Sequence, residues 1–169
     1  MPVEGRRLVA FFEGAAPDDR GRSFDDVLGF DNDALEATHD FIQWLFPLRE
    51  RSGANPDAPR LDDEVVAAFT ARPELREAQR RALDRMLRFY GLQRDGDRIA
   101  PSSTFVERSQ WLTLGNHNHL RLTRMLTSLK TLGSSDEARA LLECLLVVAG
   151  AQPHAISETT LRYWRAAGM

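Results

Sequence analysis

The stretch EATHDFIQWLFPLRE, residues 36–50, decides the fold. Five of the six side chains from Phe41 to Phe46 are large and apolar, and Pro47 follows at once. On a helical wheel at about 100° per residue, with Phe41 at the origin, Leu45 falls at about 40°, Ile42 at about 100°, Phe46 at about 140° and Trp44 at about 300°. Gln43 and Asp40 fill the gap that remains. The apolar arc spans about 200°, twice the stripe of an ordinary surface helix. The spacing therefore predicts a helix over about 34–46, buried on most sides, with Trp44 at the centre of the protein. Asp33 and Glu36 have the spacing of a capping box at its start, and the geometry required before Pro47 sets its end.

Upstream of this rod, residues 1–30 are the least periodic. GAAPDDRGRSF reads as a loop, followed by a short helical piece around Phe24–Leu28, and RLVAFF fits either an extended segment or a helix start. Downstream, RERSGANPDAPR is a Gly/Pro/Asn loop. Asp62 then caps a short helix carrying Val65, Val66 and Phe69. Pro73 suits the first position of a long amphipathic helix whose inward stripe is Leu75, Ala82, Leu83, Met86, Leu87 and Tyr90, closed by Gly91. Its arginines at 76, 80, 81, 85 and 88 read as a solvated face. QRDGDRIAPSS is a turn with Asp95-Gly96 at its apex. Thr104 and Glu107 have capping-box spacing, as do Ser134 and Glu137. Asn116 suits the cap of a helix ending at Gly133, and Ser157 that of a last helix carrying Leu161, Tyr163 and Trp164. The helix after Ser134 is apolar almost all round and should be buried. No convincing period-two strand pattern is present. The expected fold class is all-α: a single-domain bundle of about seven helices over residues 1–169.

The bulk numbers bound the function. A net charge of −3 gives no field directed at nucleic acid or a membrane surface. Lys130 is the lone lysine among 22 basic residues, and no Lys/Arg-rich run reads as a nuclear-import signal. The longest apolar stretch, 141–151, is interrupted by Glu143 and falls short of a membrane span. The lone Cys144 cannot form an internal disulfide and reads as a small buried hydrophobe. With no signal-peptide pattern at the N-terminus, the expected location is the cytoplasm.

HDFIQWLFPLRE at 39–50 and NHNHLRLTRMLTSLKTLG at 116–133, with LDRMLRFYGL at 83–92 between them and FFEGAAPDDRGRSFDDVL before them, resemble the opioid growth factor receptor conserved region. The resemblance runs from about residue 9 to about residue 164 and implies a largely helical domain. In animals it implies a receptor for an enkephalin peptide, described as associated with membranes and the nucleus without a spanning segment. A signalling-receptor role follows from the resemblance alone.

The second block carries the candidate site. With His117 at the origin of a wheel, Arg121 and Arg124 fall within about 40° of it, and all three are expected to share the face of Leu120, Leu126, Leu129 and Leu132. His119 and Lys130 are expected to point the other way. Buried arginines need partners, and Asp40, Glu36 and Glu107 are the candidate carboxylates. One reading is an internal ion-pair network; another is a cationic pocket for a carboxylate or phosphate, such as a peptide terminus. The expected ligand-binding residues are Trp44, Arg49, His117, Arg121 and Arg124, in a non-enzymatic module for a peptide or small anionic ligand. The alternative is an enzyme acting on an anionic substrate through His39, Asp40 and His117 with Arg121 and Arg124. His39-Asp40 resembles the metal-binding dyad of helical phosphohydrolases, but no histidine precedes it. His117 and His119, two apart, would face opposite sides of a helix and share a metal poorly. No phosphate loop, zinc-ligand spacing, serine elbow or dinucleotide fingerprint is present, so no cofactor or metal is expected. The oligomeric state stays open.

Overall fold

The computed structural model describes residues 1–169. It is all-α apart from one hairpin, in the order α1 (Val3–Phe12), α2 (Phe24–Leu28), α3 (Asn32–Ala37), α4 (Ile42–Leu45), α5 (Asp63–Ala71), α6 (Pro73–Tyr90), β1 (Leu92–Asp95), β2 (Arg98–Pro101), α7 (Phe105–Arg108), a 3-10 turn (Ser109–Trp111), α8 (Asn118–Thr131), α9 (Ser135–Ala151) and α10 (Glu158–Gly168). The helices number ten rather than about seven. RLVAFF lies within α1, which settles the N-terminal choice in favour of helix.

Residues pack into two compact units. The first comprises Met1–Ala82 with Thr131–Gly133, the second Leu83–Lys130 with Ser134–Met169. In the first, α1 packs on α5. Its core is aromatic: Phe11 meets Phe24 and Trp44 with ring centroids 5.6 and 5.1 Å away, and Phe12 meets Phe69 at 5.0 Å. Every side chain from Phe41 to Phe46 is buried, Gln43 included. In the second unit, α9 packs against β2 and α10.

The expected helix over 34–46 is not continuous. It breaks at Thr38–Phe41 into α3 and α4. The carbonyls there serve other donors: that of His39 accepts from the Gln43 amide at 3.1 Å, and that of Asp40 from the Asn55 amide at 3.2 Å. Once the backbone leaves the helical path, the wheel no longer sorts inward from outward positions, which is why Gln43 lies inside. Pro47 ends α4 as expected, with Phe46 held at φ −132° and ψ 72°. α3 is capped by Asp31, which accepts from the Ala34 amide, rather than by Asp33. Asp62 and Ser157 cap as expected, whereas neither Thr104 nor Ser134 makes a side-chain cap bond.

QRDGDRI is a two-stranded antiparallel hairpin in which Asp95 faces Arg98, a correction to the strand-free expectation. Gly96 at φ +60° with Asp97 at negative φ gives the pattern of a II′ turn. Gly91, at φ +73°, closes α6; a Cβ there would stand 2.7 Å from the Phe105 Cα. α9 is buried along one stripe only, and Val147 is exposed.

Candidate functional site

Two polar constellations stand out, one in each unit. In the first unit, PDDRGRS folds back so that its acidic residues serve as acceptors. Asp18 is fully buried at its side chain and takes the Arg22 guanidinium at 2.7 Å and the Arg20 and Arg22 amides at 2.8 and 2.9 Å. Asp19 receives the Trp44 indole N–H at 3.0 Å and the Asn55 amide at 3.3 Å. Asp40 pairs with Arg20 and Arg22, both at 2.9 Å. Burial opposes the charge on Asp40, but the Arg22 and Arg20 contacts outweigh it and hold its carboxyl below the usual range. The Arg7 guanidinium lies 5.5 Å from the Trp44 ring centroid.

In the second unit, two tryptophans flank a histidine. The Trp111 indole donates to the Tyr90 carbonyl at 3.1 Å, and the Trp164 indole to the His119 carbonyl at 3.2 Å. The His119 ring meets Trp111 and Trp164 edge to face, with centroids 6.5 and 5.8 Å away. Its Nε2 lies 2.8 Å from the Trp111 carbonyl oxygen. Asn118 Oδ1 accepts from the Tyr90 hydroxyl at 3.3 Å and from Arg121 at 3.4 Å.

The expected site residues divide between the units. Trp44 and Arg49 belong to the first, His117, Arg121 and Arg124 to the second. Trp44 is wholly buried, so its indole offers no surface to a ligand. Arg49 is exposed and pairs with Asp63 at 2.8 Å. On α8, Arg121 is buried as expected and Arg124 is partly exposed, but His117, the residue before the helix, is exposed and His119 is buried, the reverse of the expectation. At about 100° per residue, Leu126 and Leu129 stand about 180° and 120° round from His117, not beside it. The buried stripe therefore runs through Asn118, Arg121, Leu122, Met125 and Leu129, and leaves Leu120 exposed.

For the enzymatic alternative, His39 is exposed and Asp40 is held by two arginines. No three His, Cys, Asp or Glu side chains are gathered closely enough to hold a metal ion. Burial pushes the Cys144 thiol up to about 11, so it is no nucleophile at neutral pH.

The model of the opioid growth factor receptor conserved region matches residues 21–167. The chain belongs to this family. Among its relatives, the mouse opioid growth factor receptor is 44% identical over 104 residues, covering 60% of this chain and 16% of the receptor. The human receptor is 41% identical over 104 residues, covering 60% and 15%. The Xenopus tropicalis opioid growth factor receptor-like protein 1 is 34% identical over 143 residues, covering 79% and 27%. The chain thus spans only a small part of the length of these relatives. No solved structure matches the chain. No helix is long and apolar enough to cross a membrane.

Sequence reasoning singled out neither Asp19, Asn55 nor His119 as a polar anchor. Asp19 sits in a short run where two acids precede two arginines, which is a usable signal. Asn55 sits in an unpatterned loop and carries none.

Proposed function

We propose that the chain is a non-enzymatic helical binding module that takes a peptide or a small anionic ligand, in the manner implied by the receptor names of its relatives. The observation that carries this reading is the polar edge of α8. His117, the residue just before α8, is exposed, Arg124 lies seven residues on and partly exposed, and buried Arg121 stands between them. Residues at i, i+4 and i+7 share one side of a helix, and guanidinium groups there match a carboxylate or phosphate in charge and shape. His117 and Arg124 would touch the ligand, with Arg121 supporting them from behind. Arg49 is exposed on the first unit, and Trp44 supports that unit from within. The buried Cys144 favours a reducing, cytoplasmic setting.

Calorimetric titration with peptides that carry a free C-terminal carboxylate, and with their amidated forms, tests the reading. An enkephalin belongs in the panel. Free-acid peptides should bind and amidated ones should not, and Arg124→Ala should weaken binding at least about tenfold while leaving the urea melt unchanged. Failure across the whole panel would overturn the proposal. So would stoichiometric metal accompanied by turnover of a phosphoester, which would favour an enzyme built on His39, Asp40 and His117.

A further inference from the structure

We infer that His119 is an acid-sensitive latch for the C-terminal helix: when its imidazole becomes an imidazolium, α10 loses its anchor on α8 and opens.

α10 packs along α9, but it buries little of itself. Of its residues, only Trp164 and Gly168 are buried. Gly168 lies against Leu142 and Leu126, where an added Cβ would come within 3.0 Å of Leu142. Trp164 is the one large side chain that holds the helix down, and both of its specific contacts are to His119, by the indole N–H to the carbonyl and by the ring to the imidazole. Trp111 closes the other side of the same imidazole. One titratable ring thus joins the 3-10 turn, α8 and α10.

The protonation state follows from geometry. A carbonyl oxygen only accepts, so Nε2, 2.8 Å from the Trp111 carbonyl, carries the proton in the neutral ring. A second proton must go to Nδ1 and places a full charge on a side chain that is 4% exposed. Burial lowers the imidazole's affinity for that proton. The Trp111 carbonyl opposes this less strongly, and His117 adds to it as a like charge. The ionisable groups on the packed elements include His117 just before α8 and Arg121 on it, Glu107 and Arg108 on α7, buried Arg85 and Tyr90 and exposed Arg88 on α6, exposed Glu143 and buried Cys144 on α9, and exposed Glu158, Arg162, Tyr163 and Arg165 on α10. Of these, His117 is the one that acts on the ring.

The sign is fixed by which state binds the proton more tightly. The open ring titrates near its ordinary value of about 6.5 and the latched ring below it, so acid favours the open form. The latch is fully closed above that pH and weakens as the pH falls below it, by at most about tenfold per pH unit in the opening equilibrium. Opening would uncover Leu126 and Leu142.

Hydrogen exchange of the amides of residues 158–168 in the full chain, at pH 7.5 and 5.5 and corrected for intrinsic rates, reads the opening. Protection should fall about tenfold at the lower pH in the parent protein and stay level in His119→Gln, whose amide can donate to the Trp111 carbonyl without titrating. His154→Gln should behave as the parent. Equal protection at both pH values in the parent, or an unchanged pH response in His119→Gln, overturns the proposal. If His119→Gln fails to fold by far-UV circular dichroism, NMR titration of the His119 ring in the parent decides. A midpoint below the ordinary value that tracks the loss of protection supports the latch. A midpoint at or above it, as would follow if the indoles stabilised the cation, overturns it.

Discussion

The two units solve the same problem with different chemistry. Each buries tryptophan, and a buried indole N–H must find an acceptor. In the first unit, Trp44 donates to the Asp19 carboxylate, within a girdle where Asp18 and Asp40 are neutralised by Arg20 and Arg22. In the second, Trp111 and Trp164 donate to backbone carbonyls, and the neighbouring ionisable group is the neutral His119. The carbonyls keep their acceptor character at any pH. A carboxylate loses its charge on protonation and an imidazole gains one, and the two kinds of group titrate in different ranges. The contrast teaches that the ionisable group beside a buried indole, whether or not it is the indole's acceptor, decides which pH the surrounding structure feels.

The largest effects probe what the two clusters share. Trp44→Ala and Trp164→Ala should each cost about 3–5 kcal/mol, read as the shift in a urea melt. A variant melting like the parent would mean that its tryptophan is not the centre of its unit. Next comes Gly91→Ala, at about 2–3 kcal/mol, because the backbone there is left-handed and a Cβ would strike the Phe105 backbone. A loss below about 0.5 kcal/mol would show that the α6 terminus relaxes freely.

The pH prediction separates the units. Asp40 is held below its ordinary range in the folded protein, where its arginine partners outweigh burial. Its contribution is therefore present above the ordinary carboxylate value of about 3.9 and is lost as pH falls through the lowered folded value. Amides of the first unit should stay protected down to about pH 4.5 and lose protection below it, a slope that Asp40→Asn should reduce. Those of α10 should weaken earlier, below about pH 6.5. Loss of protection in both units over one common range would erase the distinction. The smallest effects concern caps. Ser23 and Ser157 each accept from a first-turn amide, and replacement by alanine should cost about 1 kcal/mol in either unit by thermal melt.

Much of this was legible in the residues. The run from Phe41 to Phe46 announced burial, and the blocks at 39–50 and 116–133 carried the family. The break at Thr38–Phe41 was not legible, because it depends on the Asn55 side chain from a distant loop taking the Asp40 carbonyl. The hairpin leaves no pattern in the sequence because each strand is four residues long and buries little besides Leu92 and Ile99, too short for a period of two to show. On α8 the apolar periodicity was present, but the stripe lies on the side of Leu122, Leu126 and His119 rather than that of His117 and Leu120. Of the candidate site, the buried position of Arg121 was readable from the helix. The engagement of Asp40 by Arg20 and Arg22 was not, since it brings together residues eighteen to twenty positions apart.

Acrylamide quenching of the intrinsic fluorescence tests the central claim most directly, because all three tryptophans, Trp44, Trp111 and Trp164, are buried. At neutral pH the emission should be blue-shifted from that of the urea-unfolded chain, with a quenching constant several-fold smaller. Emission and quenching equal to those of the unfolded chain would place the indoles in water and contradict a fold built round them.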